Sequence, residues 1–318
     1  MVPLAPPRDR PSRPVAVPLT VLLALCFGPF AFQHAAENPS ASPCPVFGEG
    51  LAMGLAADPA LNEASGLAAS QSQWDLLWAH NDSGDFARLY ALSLDGTSRG
   101  TWTLPIGIPY DCEALAIGPA PDALGDHIFL ADIGNNGLGR TSLQIYRIRE
   151  PDVDDSRLEA RPLTDVVTFE IIFPPGIAED LEAFAVDPTT GDFVFFGKSY
   201  DRRSRVLMAP APSAGDTVDL VNWGTLPIAQ VTGADISRDG SMLLLRTYEE
   251  AFIYLRRNGE SWVEALLRPA CATPIGWEAQ GEAVAFLADG SGYVTISEGR
   301  GSPLLFYPRI PWPTEKAD

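Results

Sequence analysis

The segment Glu113-Ala114-Leu115-Ala116-Ile117 decides the fold, because variants of it recur along the chain. Each copy has a polar residue, then glycine or alanine, then a mostly apolar run typical of a strand. The copies are SGLAA from Ser65, EALAI from Glu113, EAFAV from Glu182, TGADI from Thr232 and EAVAF from Glu282. Their first residues are 48, 69, 50 and 50 positions apart. A period near fifty predicts a repeat architecture with one polar side chain at an equivalent place in each repeat.

Further strand-like runs follow each copy, separated by turns rich in polar residues, glycine and proline. Four short strands in each of five repeats predict an all-β fold, a five-bladed β-propeller. A six-bladed propeller is the alternative, and a β-sandwich with coincidental motif spacing is less consistent with five recurrences. The predicted fourth strands lie in repeats one to four, at residues 101–104, 166–173, 218–226 and 262–267.

The fifth repeat has no fourth strand of its own, since the chain offers little after Tyr307. The segment 44–55 precedes the first repeat, and we expect it to supply that strand and close the ring, which removes an exposed sheet edge. An acidic insertion at residues 152–165 explains the longer second interval.

The chain is strongly acidic, with a formal net charge of −19 over 318 residues. Nucleic acids and anionic membrane surfaces require a basic face, so the charge excludes both as partners. The hydrophobic content of 46% permits a sizeable core. These properties favour a soluble exported protein that binds a cation, a small molecule or an extracellular partner.

The N-terminal segment is typical of an export signal, because Arg8, Arg10 and Arg13 precede an apolar stretch that ends near Ala36. We interpret residues 1–36 as a signal peptide, 37–43 as a linker, 44–310 as one propeller domain and 311–318 as a tail. The protein is then secreted, periplasmic or at the cell surface, without membrane insertion after cleavage. An uncleaved membrane anchor is the alternative, because the apolar run is about as long as a span requires.

Three cysteines remain after export, namely Cys44, Cys112 and Cys271. Cys44 and Cys271 lie in proline-flanked connecting segments, and we hypothesise a disulfide between them that joins the two ends of the ring. Spacing alone does not fix this connectivity. Cys112 precedes a repeated glutamate, and we expect it to be a small buried residue.

The repeated polar residues are predicted to meet at one mouth of the central channel, because equivalent positions of a propeller lie at the same end. The predicted ring consists of Ser65, Glu113, Glu182, Thr232 and Glu282. Residues two positions earlier share the same strand face by the period of two. They form the predicted second layer, which consists of Glu63, Asp111, Asp180, Gln230 and Gln280.

Several glutamates in one channel repel one another unless a cation neutralises them. Calcium takes oxygen ligands from carboxylates, amides and carbonyls in loose geometry, so the sequence predicts a calcium site at this mouth. The alternative is structural: each glutamate accepts hydrogen bonds from the next blade and fastens the ring.

Other candidate residues follow from their expected place in the loops at the same mouth. His80 is a candidate acid/base group and Asp82 a candidate partner for proton transfer. Lys198 and Arg246 are candidate ligands for a phosphate group. A hydrogen-bonded structural role is the commoner one for a histidine at a strand end.

The order of Asp111-Cys112-Glu113-Ala114-Leu115, Asp180-Leu181-Glu182-Ala183-Phe184 and Gln280-Gly281-Glu282-Ala283-Val284 resembles the SdiA-regulated β-propeller family. It is also similar to exported propellers labelled as having esterase-like activity of phytase. The likeness covers about residues 45 to 308. It implies an exported propeller with bound calcium, and little about a reaction. A remoter likeness to calcium-activated nucleotidases lacks a clear cationic cluster for a polyphosphate.

Two functions are compatible with these observations. The first is a propeller that binds calcium at the channel mouth and acts as a binding or scaffold module. The second is a calcium-dependent phosphoester hydrolase, in which Glu113, Glu182 and Glu282 hold the metal. Because propellers host both kinds of function, the fold does not choose between them.

Overall fold

A computed structural model describes residues 43–153 and 160–311. The predicted signal peptide, nearly all of the linker and tail, and the centre of the acidic insertion lie outside these residues. The described chain is built almost entirely of antiparallel strands, grouped in five small sheets. We refer to the strands of each sheet as inner, second, third and outer.

The inner strands are the five repeated segments, and each contacts the next in cyclic order, with the fifth returning to the first. The fold is therefore a five-bladed β-propeller around a central channel, and the six-bladed alternative is wrong. The burial of both faces of these strands explains their almost unbroken small or apolar sequence. The inner strands are Ala64–Ala69, Cys112–Ala120, Leu181–Val186, Val231–Ile236 and Gly281–Phe286.

The remaining strands follow each inner strand in simple up-and-down order. The second strands are Leu77–Asn81, Ala123–Asp132, Phe193–Gly197, Met242–Thr247 and Gly292–Ser297. The third strands are Arg88–Leu92, Ser142–Arg149, Ser204–Ala209, Ala251–Leu255 and Pro303–Ile310. The outer strands of blades one to four are Ser98–Thr103, Val166–Ile172, Val221–Leu226 and Cys271–Thr273.

Blade five is completed by the segment that precedes blade one, as predicted. Val46–Phe47 and Leu51–Leu55 both pair antiparallel with the third strand Pro303–Ile310. A disulfide joins Cys44 to Cys271, which begins the outer strand of blade four. The N-terminal segment is therefore fastened to blade five by hydrogen bonds and to blade four by a covalent bond. Cys112 is a buried free thiol, as expected.

Two predicted outer strands were wrong in detail. Residues 218–226 form two strands, because Thr217–Asp219 pairs in parallel with the outer strand of blade two and only Val221–Leu226 belongs to blade three. Residues 262–267 contain the short helix Trp262–Leu266 instead of a strand. Ser261 and Glu264 form a capping box that satisfies the first amides of this helix, which explains why the apolar run is not extended.

The hydrophobic core is divided into layers that lie between neighbouring blades. The layer between blades two and three is the most aromatic, with Phe193 in edge contact with Phe129 and Phe184 at 5.3 and 5.1 Å between ring centroids. Edge-to-face rings at this separation add to the free energy gained by burying their area. These layers hold the blades at fixed distances and therefore fix the geometry of the channel mouth.

Each inner strand contains a β-bulge close to its start. The pairing register shifts between Ala64 and Gly66 in blade one, and the equivalent shift occurs in all five blades. The residue inside each bulge is the repeated polar one. A bulge leaves its extra residue outside the ladder and redirects the side chain. The residues inside the bulges are Ser65, Glu113, Glu182, Thr232 and Glu282.

Candidate functional site

The five residues inside the bulges are all buried, with 1–4% of their surface exposed. Ser65, Glu113 and Glu282 line one small cavity on the channel axis. Both Glu182 and Glu282 act electrostatically on Glu113, and Glu282 acts on Glu182. The structure therefore brings the three glutamates together at the mouth where the inner strands begin.

The two hydroxyl residues of the ring fasten neighbouring blades. Ser65 Oγ donates to Glu113 Oε2 at 3.2 Å and lies 3.3 Å from the carbonyl oxygen of Glu113, which joins blade one to blade two. Thr232 Oγ1 donates to the carbonyl oxygen of Gly281 at 3.1 Å, which joins blade four to blade five. These two contacts join blades through hydroxyl donors, whereas the structural alternative concerned glutamates that accept hydrogen bonds.

Glu182 and Glu282 belong to a chain of polar contacts across blades three to five. Lys198 Nζ lies 2.9 Å from Glu182 Oε2 and 5.4 Å from the centre of the Tyr248 ring. Tyr248 Oη donates to Glu282 Oε1 at 2.9 Å. Burial raises the pKa of Glu182 to about 8, against the opposing effect of the Lys198 ammonium. This side of the ring carries its own cation.

Glu113 has acidic neighbours instead. One carboxylate oxygen from each of Asp82, Asp111 and Glu113 lies within 4.8 Å of the other two, and we call this group the acid triad. Gly134 leaves the space that two of these side chains occupy. A Cβ on Gly134 would lie 2.4 Å from Asp111 Oδ2 and 2.6 Å from Glu113 Oε1.

Burial and mutual repulsion make the acid triad a poor place for three negative charges. Burial raises the pKa of Asp82 to about 6, with Asp111 among the charges that add to the effect. Burial also raises the pKa of Asp111, although a hydrogen bond from Asn136 and the nearby Arg140 cation oppose it. The pKa of Glu113 is raised well above its ordinary value by burial first and then by Glu182 and the other acids. A bound cation would relieve this repulsion.

A pair of acidic residues, Glu282 and Glu298, lies beside the triad in blade five. Burial raises the pKa of Glu298 to about 8, and a hydrogen bond with Glu282 adds to the effect. The backbone nitrogen of Glu298 donates to the carbonyl oxygen of Gln280 at 2.9 Å. The Glu298 carboxyl group therefore holds its proton at neutral pH.

The predicted second layer is only partly at the channel. Asp111 belongs to the acid triad, whereas Asp180 Oδ1 accepts the backbone nitrogen of Asn135 at 2.7 Å and secures a loop of blade two. Glu63 is exposed, and its charge acts on Asp82 and Glu298. Gln280 Nε2 lies 3.4 Å from Glu282 Oε1. The backbone nitrogen of Gln230 donates to Ser199.

His80 lies inside the wall of blade one, where 1% of its surface is exposed. Its Nδ1 lies 2.8 Å from the carbonyl oxygen of Asn81, and its Nε2 has no hydrogen-bond partner among the described residues. Burial lowers its pKa to about 4, so the ring is neutral at neutral pH. This placement differs from the expected acid/base group at the open mouth, because the side chain passes beneath Gly66 instead of pointing outward.

Arg246 is also inside the wall, with 0% of its surface exposed. Its Nη1 lies 2.7 Å from Glu278 Oε2 and 3.2 Å from the carbonyl oxygen of Ala283 in blade five. A phosphate at the mouth has no path to this guanidinium. Arg246 therefore joins two blades, whereas the sequence suggested an exposed ligand for phosphate.

Sequence reasoning missed three residues of this region, namely Gly134, Tyr248 and Glu278. The repeat itself contained a sign of the buried Arg246. Copies one and four have glycine after the polar residue where the other copies have alanine. These glycines, Gly66 and Gly233, are paired with His80 and Arg246, whose long side chains fill the space of a Cβ.

No helix in residues 43–153 and 160–311 has the length and hydropathy needed to cross a membrane. Comparisons with protein-family models and with curated proteins give no match. Among solved structures, the chain is similar to one described as the crystal structure of a nidogen/laminin complex. The similarity covers 74% of this chain and 73% of that chain, with 14% sequence identity and a TM-score of 0.41.

Proposed function

We propose that this protein is an exported propeller that binds one calcium ion at its channel mouth and acts as a binding or scaffold module. The observation that carries the proposal is the acid triad of Asp82, Asp111 and Glu113. Its oxygens are within 4.8 Å of one another, and burial raises the pKa of all three groups. The same hypothesis includes membership of the SdiA-regulated or phytase-like exported propellers, which the repeated motifs resemble.

The donor set is suited to a hard cation. Carboxylate oxygens from two blades face each other, and the Ser65 hydroxyl beside Glu113 is a further oxygen ligand. Calcium accepts such ligands and completes its shell with water. Glu182 and Glu282, which the sequence predicted as ligands, are left out of the proposed set. Lys198 and Tyr248 already engage those two carboxylates.

Titration calorimetry with calcium tests the proposal directly. We expect one site per chain in the wild type, and no measurable binding in Glu113→Gln and Asp82→Asn. Asp219→Asn is the matched control, because it also removes one negative charge but lies on an exposed strand of blade two. A hundredfold excess of calcium over its dissociation constant should stabilise the fold by about 3 kcal/mol. Wild-type protein that shows no heat of binding would exclude the calcium site.

The phosphoester-hydrolase alternative has weaker support. Its proposed acid/base group and one of its phosphate ligands, His80 and Arg246, are both buried in the walls of the blades. Purified protein should be assayed with phosphomonoesters, nucleotides and aryl esters, first with calcium and then with chelator. Turnover that the chelator abolishes would establish the hydrolase and reject a purely scaffolding role.

A further inference from the structure

A cavity of about 480 Å³ lies beside the seam where blade five meets blade one. It is bounded by the turn at residues 70–76 of blade one, the turn at residues 287–291 of blade five, and Met53 of the ring-closing strand. Turns between inner and second strands lie at the end opposite to the start of the inner strands. The cavity is therefore on the face opposite to the acid triad, and its volume is typical of a site for a small molecule.

The walls of this cavity are apolar. Leu94, Leu287 and Phe306 are partly buried and pack against the core layer between blades one and five. Met53 and Trp74 complete the lining and expose 41% and 79% of their surfaces. An exposed tryptophan at the edge of an apolar cavity can cover a large area of a bound ring.

The turn that carries Trp74 is held by hydrogen bonds on both sides. Ser70 Oγ accepts the backbone nitrogens of Ser72 and Gln73 at 3.3 and 2.8 Å. The side chain of Gln73 donates to the carbonyl oxygen of Pro151 and accepts the backbone nitrogen of Val153, at 2.9 and 2.8 Å. Ordering this turn therefore costs little when a ligand binds, which favours affinity.

The polar groups around the cavity are mainly hydrogen-bond acceptors. Asp75 and Asp289 bring two carboxylates, and Oδ1 of each accepts a backbone nitrogen at 2.9 Å, from Leu94 and Ser291. Arg238 is the one cation of the lining, and its Nη1 already donates to the carbonyl oxygen of Gln71 at 3.0 Å. A ligand that is complementary to this rim must supply hydrogen-bond donors and carry a positive charge.

We propose that this cavity binds an arylalkyl amine, that is, a planar ring with an amino group on an alkyl carbon. The planar ring packs against Trp74 and the apolar walls, and the protonated amino group faces Asp75 and Asp289. The attraction between a cation and the face of an indole adds to the ion pairs. The proposal is independent of the calcium site, because the two sites share no residue.

Three probes with one ring system test the proposal by calorimetry on the whole protein. They are naphthalen-2-ylmethylamine, naphthalen-2-ylmethanol and naphthalene-2-carboxylate. We expect the amine to bind about tenfold more tightly than the carboxylate, a difference of about 1.4 kcal/mol, with the alcohol between them. Equal or tighter binding of the carboxylate, or no binding of the amine, would overturn the assignment.

Variants test whether the amine binds in this cavity. Trp74→Ala should weaken its binding about tenfold without lowering the melting temperature, since the indole is mostly exposed. Asp289→Asn should weaken it about threefold, since one carboxylate of the rim remains. Asp219→Asn removes a charge elsewhere, and Asp82→Asn alters the opposite face, so both should leave it unchanged. A similar loss in all the charge variants would show non-specific attraction to an acidic protein and would reject the site.

Discussion

Glu113 and Glu182 occupy equivalent bulges of neighbouring blades, but their surroundings differ. Glu182 has Lys198 Nζ at 2.9 Å, whereas Glu113 has the Ser65 hydroxyl and two further acids. The same contrast holds for the two sides of the ring, because blade four also holds the buried cation Arg246. The bulge sets where the carboxylate points, and the residues from adjacent strands set whether its charge is compensated. Glu113, which has no cation in direct contact among the described residues, is the repeated glutamate best placed to recruit a cation from solution.

The largest effect is expected at the compensated side, for Arg246→Met. Removal of the guanidinium leaves Glu278 buried without its cation, which should cost about 4 kcal/mol of unfolding free energy. Urea denaturation measures the loss. The control is Arg203→Met, an exposed arginine whose replacement should change stability by less than about 0.5 kcal/mol. If both variants unfold at the same urea concentration, Arg246 does not compensate a buried charge.

Lys198→Met would convert Glu182 into a second Glu113. The buried carboxylate then has no cation, and we expect a loss of about 3 kcal/mol in the absence of calcium. The double variant with Glu182→Gln removes the uncompensated charge as well, so it should recover most of that loss. Chemical denaturation of the two variants checks this. A double variant no more stable than the single one would mean that Lys198 acts through packing alone.

Glu113→Gln should have the opposite sign. The pKa of Glu113 is raised from an ordinary value of 4.5, so the folded state retains a proton that the unfolded state releases. Stability of the calcium-free protein therefore falls as pH rises above about 4.5 and continues to fall until the folded pKa is passed. The glutamine variant lacks this loss, and it should be more stable than the wild type by roughly 1 kcal/mol at pH 8 and equal to it at pH 4.

Melting curves in chelator between pH 4 and pH 8 would measure this difference. Glu298 also loses its proton in this range, so the variant should flatten the profile only in part. A variant that is destabilised equally at both ends of the range would show that the Glu113 carboxylate is held favourably and requires no cation.

The smallest effect is expected for the hydroxyl residues of the ring. Thr232→Val keeps the shape of the side chain and removes one buried hydrogen bond to Gly281, which should cost about 1 kcal/mol. Ser65→Ala should cost less, because the Glu113 carboxyl group that loses the hydrogen bond can change its protonation state. Thermal unfolding of both variants ranks them. A reversed ranking would mean that Ser65 is the main contact between blades one and two.

The blade count and the mode of ring closure could be predicted, because both depend on the repeat and on one unassigned segment. The Cys44–Cys271 disulfide was a hypothesis that the structure confirms. The bulges could not be predicted, since a bulge residue looks like any other residue at the start of a strand. Without the bulges, the sequence gives no means to tell which of two alternating positions faces the channel.

The helix at Trp262–Leu266 was readable from its capping box, Ser261 and Glu264, but the apolar run after it resembled the strands of other repeats. The acid triad was predicted only in part. Glu113 and Asp111 follow from the repeat, whereas Asp82 belongs to a loop whose path depends on the packing of blade one against blade two. The sequence predicted the correct end of the blade for both Lys198 and Arg246. It could not predict their burial, which depends on glycines and on neighbouring strands.

The closure of blade five by Leu51–Leu55 and Pro303–Ile310 has a consequence for the folding of the chain. These partners are about 250 residues apart in sequence, and pairing them requires the intervening blades to be positioned first. The earliest described strands are therefore without partners until the last ones are available, and their backbone groups, together with the side chain of Phe47 that closure buries, remain exposed in the interval. A chain that stalls before the last strand would offer this open edge to other molecules, so association between unfinished chains is the failure to expect.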